Sequence, residues 1–214
     1  MSITKNSLVD QVYSTLRKQI ITLNYPLGSR FNVNEIKESL QVSSTPIREA
    51  INRLQQEGLM TYENNVGARI IGLTKHDVDE INELALTLHH KAIFLSIKKG
   101  DIDDIVTELR KHLAAYQKAS TSAEEVNAIY NFIGTYYHNC KNSRIDKSMK
   151  GIQGQQLLLR NIYAKCQPER HADADAIEKM LEATIAKDPV AVCAALDAFT
   201  NKTLPFIFNY IKKS

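Results

Sequence analysis

Residues 43–48 of this 214-residue chain read Ser-Ser-Thr-Pro-Ile-Arg, and these are the residues best suited to chemistry. The short hydroxyls of Ser43, Ser44 and Thr45 precede a cation, Arg48. On the first turn of a helix, such side chains and the free N–H groups of the helix end can meet phosphates and base edges in the major groove of DNA. Arg48 is the candidate for a guanine edge or a phosphate, and Arg53, farther along, for the sugar-phosphate backbone. Pro46 is tolerated in a first turn, because the N–H it lacks would have no helical partner there. Downstream, Asn64, Asn65 and Arg69 offer polar contacts, and Gly67 lets the chain come close to DNA. Taken alone, Ser-Ser-Thr-Pro is equally a plain helix cap beside a solvated arginine, so the surrounding elements decide between the two.

Those elements have a recognisable order. Leu8, Val12, Leu16, Ile20 and Leu23 form one apolar face, which predicts a helix over 7–23, stopped by Pro26 and Gly28. Val33, Ile36 and Leu40 predict a short helix over 33–40. Ser43 then caps a third helix, which buries Ile47, Ala50, Ile51 and Leu54 and ends at about Glu57, with Gly58 following at a position that favours glycine. Two runs of alternating residues, 60–63 and 68–71, flank Asn64-Asn65-Val66-Gly67 and predict a β-hairpin. Helix, helix, turn, helix, hairpin is the order of a winged helix-turn-helix. Beyond Gly72, Thr74 with Asp77 makes a helix start. Helices are expected at 75–98, 102–119, 122–140, 143–166, 173–187 and 189–212, with Asp101 and Asp188 as caps or first-turn acids. The fold class is therefore mainly α. A winged helix-turn-helix domain with a small hairpin wing occupies 1–72, and an all-helical bundle occupies 73–214.

Composition narrows the functions. With 27 Lys/Arg against 24 Asp/Glu the formal charge is +3, so DNA contact must come from local placement of cations rather than from a global field. No long apolar run and no leader-like N-terminus is seen, so no membrane role and a cytoplasmic location are expected. Cys140, Cys166 and Cys193 lack metal-ligand spacing and read as reduced thiols. No nucleophile elbow, P-loop, dinucleotide fingerprint or His-Glu-x-x-His is found, and Asp103-Asp104 sits at a helix start, where it favours the dipole. An enzyme is not expected.

Pro26-Leu27-Gly28-Ser29-Arg30, Asn34-Glu35, the run Leu40 to Leu54 and Glu57-Gly58-Leu59 together resemble the GntR family of bacterial transcription regulators. The helical remainder is similar to the FadR-type, or FCD, effector domain. The resemblance implies a homodimer on a palindromic double-stranded DNA operator, released or tightened by a small metabolite, with repression as the usual mode. Ser44 departs from the family, which usually places arginine there to read bases. Asn34 stands near where some relatives carry another DNA-contacting arginine.

Many FCD domains hold a divalent metal with one Asp and three His. The matching positions here are Gly134, His138 and the neighbourhoods of Ile177 and Phe199, and only His138 is a ligand type. No cofactor or metal is therefore expected; either an organic effector binds directly or ligand sensing has been lost. The candidate pocket residues are His138, Tyr137, Gly134, His89, Ile177 and Phe199. Ala85 stands where the domain usually has an arginine that meets carboxylate effectors, which weakens the case for a small organic acid. The competing function is an architectural DNA-binding protein without an effector.

Overall fold

Alternation of apolar residues every three to four positions produces the first element of the computed structural model, which describes residues 7–63, 67–167 and 169–213. Helix α1 (Leu8–Ile21) buries Val12, Leu16 and Ile20, whereas Leu8 at its start is exposed. Ser7 and Asp10 close a reciprocal capping box at its start, the Ser7 hydroxyl accepting from the Asp10 N–H and the Asp10 carboxylate from the Ser7 N–H. Helices α2 (Val33–Leu40) and α3 (Ser44–Gln56) follow. Gly58, at φ +66°, ends α3, with its N–H on the Gln55 carbonyl and the Leu59 N–H on that of Leu54. This paired closure requires the left-handed conformation that glycine adopts without strain.

Strands β1 (Met60–Glu63) and β2 (Gly67–Ile70) pair antiparallel, with Met60 opposite Ile70 and Tyr62 opposite Ala68. The segment after Gly28 adds a partial third edge, since the Phe31 N–H donates to the Ala68 carbonyl and the Ile70 N–H to that of Ser29. The turn holding Asn64 and Asn65 lies outside the described residues.

Six helices complete the described chain: α4 (Lys75–Lys99), α5 (Ile102–Lys118), α6 (Ser122–Asn139), α7 (Ser143–Cys166), α8 (Ala174–Ile185) and α9 (Pro189–Ile211). Their starts are set by short polar side chains. Thr74 with Asp77 forms the expected box, Asp101 and Asp188 cap α5 and α9, and Thr121 with Glu124 forms a further box. Helix α9 is long and apolar enough by composition to cross a membrane, but it packs against α4, α7 and α8.

Two cores result. One lies among α4, α5, α6, α8 and α9 around Leu109, Phe132, Tyr136, Met180 and Phe199. The other joins Leu16, Ile47, Leu54 and Ile70 of the N-terminal elements to Val78 and Ile81 of α4, Leu158, Leu159 and Ile162 of α7, and Ile207 of α9. The hairpin ends at residue 70, close to the expected boundary, yet apolar packing runs straight across it. Contact there is close. A Cβ on Gly154 would stand 2.8 Å from Leu59 Cδ1 and 2.9 Å from Glu57 Oε2, and one on Gly58 would stand 2.4 Å from Gln155 Nε2. Glycine at each position lets α7 lie directly on the end of α3.

Candidate nucleic-acid interface and bundle cavity

The start of α3 presents what DNA contact requires. Ser43 sits at the N-cap, but its hydroxyl makes no capping bond, and Ser43, Ser44, Thr45 and Arg48 are all exposed. The first turn carries no acidic residue, so the positive end of the helix is not neutralised locally. Ser44 and Arg48 line an open groove of about 1220 Å³ whose other wall is the start of α2 and whose end is the hairpin. Asn34 and Gly67 line it too. Gly67 has φ +95° and nothing within 4 Å of a Cβ, so only the backbone conformation demands glycine there. The groove also gathers Arg30, Lys37, Asn52, Gln55 and Tyr62, the last 62% exposed. Its charged side chains are three cations (Arg30, Lys37, Arg48) and one carboxylate (Glu35), a local balance of 3 − 1 = +2.

Of the other candidate contacts, Ser43 and Thr45 stand exposed beside the groove, and Pro46, Arg53 and Arg69 are placed outside its lining. Pro46 is buried beneath the first turn and packs inward. Arg53 faces α1, with Nη1 2.7 Å from Asp10 Oδ1 and the guanidinium 3.9 Å above the Tyr13 ring. Arg69 donates from Nε and Nη2 to the Gly28 carbonyl at 3.0 and 2.7 Å, fastening the wing to the loop before α2. Both arginines are held by groups about forty residues away, which spacing along the chain does not reveal. The groove residues missed from sequence had one usable signal. Arg30 lies in the Gly28-Ser29-Arg30 run, and Asn52 and Gln55 lie one and two turns beyond Arg48 on α3.

A second feature lies between α6 and α7, a cavity of about 330 Å³. His89, Gly134, Tyr137 and His138 line it. Ile177 and Phe199 do not. Each is 1% exposed and belongs to the bundle core, where α8 packs on α5 and α9, and α9 on α4, α7 and α8. Arg160, Lys150, Asp146, Tyr130, Met149 and Gln153 line it instead.

His89 is buried at the cavity wall, with Nδ1 2.8 Å from the Tyr137 hydroxyl. Burial, helped by the charges of Arg160 and His90, takes its pKa down to about 3. In the unfolded chain it titrates near 6.5. The unfolded state therefore binds the extra proton first, and the contribution is intact above about 6.5 and is lost as pH falls toward 3. Stability should decline on this account by up to about 1.4 kcal/mol per pH unit in that window. Thermal melts from pH 7 to 4 of the wild type and of His89→Gln check this, and equal acid-side slopes in the two proteins would remove His89 as the cause.

The described residues contain no cluster of three or more His, Cys, Asp or Glu able to hold a metal. His138 is exposed at the cavity rim, and Gly134, Ile177 and Phe199 bring no donor.

Residues 8–70 match the family described as bacterial regulatory proteins, gntR family. The chain is 35% identical over 115 residues to the uncharacterized HTH-type transcriptional regulator YdhC of Bacillus subtilis (strain 168), a match covering 54% of this chain and 51% of that protein. It is 30% identical over 146 residues to the gluconate operon transcriptional repressor of the same organism, covering 68% and 58%. The matched stretches thus span about half the length of these relatives. Among solved structures, Escherichia coli McbR/YncC superposes with a TM-score of 0.79 at 21% identity, over 96% of this chain and 99% of that one, a likeness of fold.

Proposed function

We propose, from the match of residues 8–70 to the gntR family of bacterial regulatory proteins, that the chain is a member of that family and a cytoplasmic DNA-binding transcriptional regulator rather than an enzyme. It acts as a repressor, a homodimer on a palindromic double-stranded operator, and a small molecule in the α6–α7 cavity sets its affinity for DNA. The observation that carries the reading is the groove in which the acid-free start of α3, Arg48, Asn34 and the wing glycine converge with Arg30 and Lys37. Such a helix end enters a major groove while the surrounding cations neutralise phosphates. Repression is supported by the likeness to the gluconate operon repressor.

The connection between cavity and reader is α7. Gln153, Gln156, Leu157 and Arg160 line the cavity, while Gly154, Gln155 and Leu158 lie on the residues that close α3. A ligand that displaces α7 therefore pushes on Glu57–Leu59. The donor set argues for a ligand held by side chains directly, with no metal.

Binding to a labelled duplex taken from immediately upstream of the protein's own coding sequence tests the proposal. A dissociation constant of about 10⁻⁸ M or tighter at physiological salt is expected, with affinity at least about a thousandfold weaker for a random duplex. Equal affinity for the two duplexes would leave an architectural DNA binder and defeat the regulator reading.

A further inference from the structure

Among the described residues, Arg160 is a charged side chain with a buried nitrogen that has no hydrogen-bond partner. It projects from α7 to the junction of three cavities, the 330 Å³ space and two small ones of about 20 Å³ each. Its Nη1 is shut off from solvent and donates to no group among the described residues. The face of the guanidinium lies 4.1 Å from the Phe199 ring, which stabilises a cation but accepts no hydrogen bond in the guanidinium plane. Asp173, the acid whose charge acts on it most, has its Oδ1 engaged by the Tyr163 hydroxyl at 2.8 Å and by Lys202 Nζ at 3.2 Å. Burial lowers the pKa of Arg160 to about 10, so at neutral pH it remains charged. A buried cation with a spare donor is costly unless something anionic or strongly accepting comes to it.

The rest of the cavity does not supply that counter-charge. His89 is neutral and tied to Tyr137. At the rim, Asp146 is paired with Lys150 at 2.7 Å. Ile129, Ile133, Met149 and Leu157 give the remaining walls an apolar character. Ala85 shares the lining of one of the small cavities with Arg160, and its methyl leaves room for the guanidinium. A small residue on α4 is thus matched by a long cation from α7.

We propose that the α6–α7 cavity binds a small organic anion, its carboxylate or phosphate held by Arg160 and its apolar or aromatic body seated between Met149, Leu157 and Ile133. The inference rests on the reading of the cavity as the effector site and names the chemical class of its ligand. A volume of about 330 Å³ lies at the small end of ligand pockets, which fits a compact acid and not a long acyl chain. A guanidinium suits such a group because two parallel N–H donors match two oxygens of a carboxylate or phosphate.

Isothermal titration of the full chain in chelator-treated buffer with benzoate, phenyl phosphate and the neutral isostere benzamide tests it. One or both anions should bind at least about tenfold more tightly than benzamide, and Arg160→Gln should remove most of that advantage. The anion that binds better identifies the headgroup class. Gly134→Val gives a second variant that leaves Arg160 in place. Nothing lies within 4 Å of a Cβ at Gly134, so the added side chain enters open space in the cavity and should weaken anion binding without unfolding the bundle. Binding of benzamide equal to that of the anions, no binding by either anion, or full anion affinity in both variants would overturn the proposal. Operator binding is measured alongside. Intact operator affinity with no anion binding refutes the anion site alone, whereas anion binding that leaves operator affinity unchanged refutes the effector reading and not the site.

Discussion

Leu158→Ala is expected to destabilise the protein by about 2–5 kcal/mol and to lower the melting of both halves together. Leu158 is fully buried, and it sits on α7 within the core that holds Leu16, Leu54 and Leu59. Truncation leaves a cavity that cannot collapse easily, because Gly154, one turn earlier, already lies against Leu59 and Glu57 at the closest approach glycine allows. For a chain of this size the loss corresponds to roughly 4–20 °C in the melting midpoint. Scanning calorimetry checks it. A single transition moved downward is the expected outcome. A separate transition at the original temperature, assigned to the winged-helix half by near-ultraviolet spectroscopy of Tyr13, Tyr25 and Tyr62, would show that the shared core does not couple the two.

Arg48→Ala is expected to weaken operator binding by about 1–3 kcal/mol, roughly 5- to 150-fold, while leaving the melting midpoint unchanged. Arg48 is exposed, lines the groove beside Ser44, and makes no ion pair or hydrogen bond with the described residues, so its removal takes nothing from the fold. Arg53→Ala supplies the contrast. Its guanidinium is engaged by Asp10 and Tyr13, so its loss should act on the packing of α1 against α3 and shift operator affinity little. Fluorescence anisotropy with the operator duplex, paired with thermal melts, separates the two effects. If Arg48→Ala bound DNA as tightly as the wild type, the groove would no longer stand as the reading surface.

The two variants also mark what local sequence can and cannot specify. A helix start is decided within four residues, so Thr74 with Asp77 is legible in the chain, and Ser7 with Asp10 and Thr121 with Glu124 are local arrangements of the same kind. The hairpin strands and the glycine that closes α3 are local in the same way. Whether an arginine is free is not local. The partners of Arg53 and Arg69 lie 43 and 41 residues away, so neither contact shows in the local spacing.

The same division runs through the helical half. Matching the chain to the FCD-type domain singled out His89, Gly134, Tyr137 and His138, and the fold brings these four to the cavity. The same matching pointed to Ile177 and Phe199, and packing buries them in the bundle core instead. Arg160 carried no sequence signal at all, because its distinction is an absence of partners that only the surroundings of α7 create.

By itself, then, the sequence determined the order of elements, the winged helix-turn-helix and the residues at the exposed start of α3, because caps, periodicity and turn residues act over a few positions. Only the tertiary structure decided which cations are held by distant groups, that α7 lies on the residues closing α3 through Gly154, and that a buried nitrogen of Arg160 is left without a partner beside the cavity. Those outcomes depend on which distant groups meet: α1 for Arg53, the loop before α2 for Arg69, and the surroundings of α7 for Arg160.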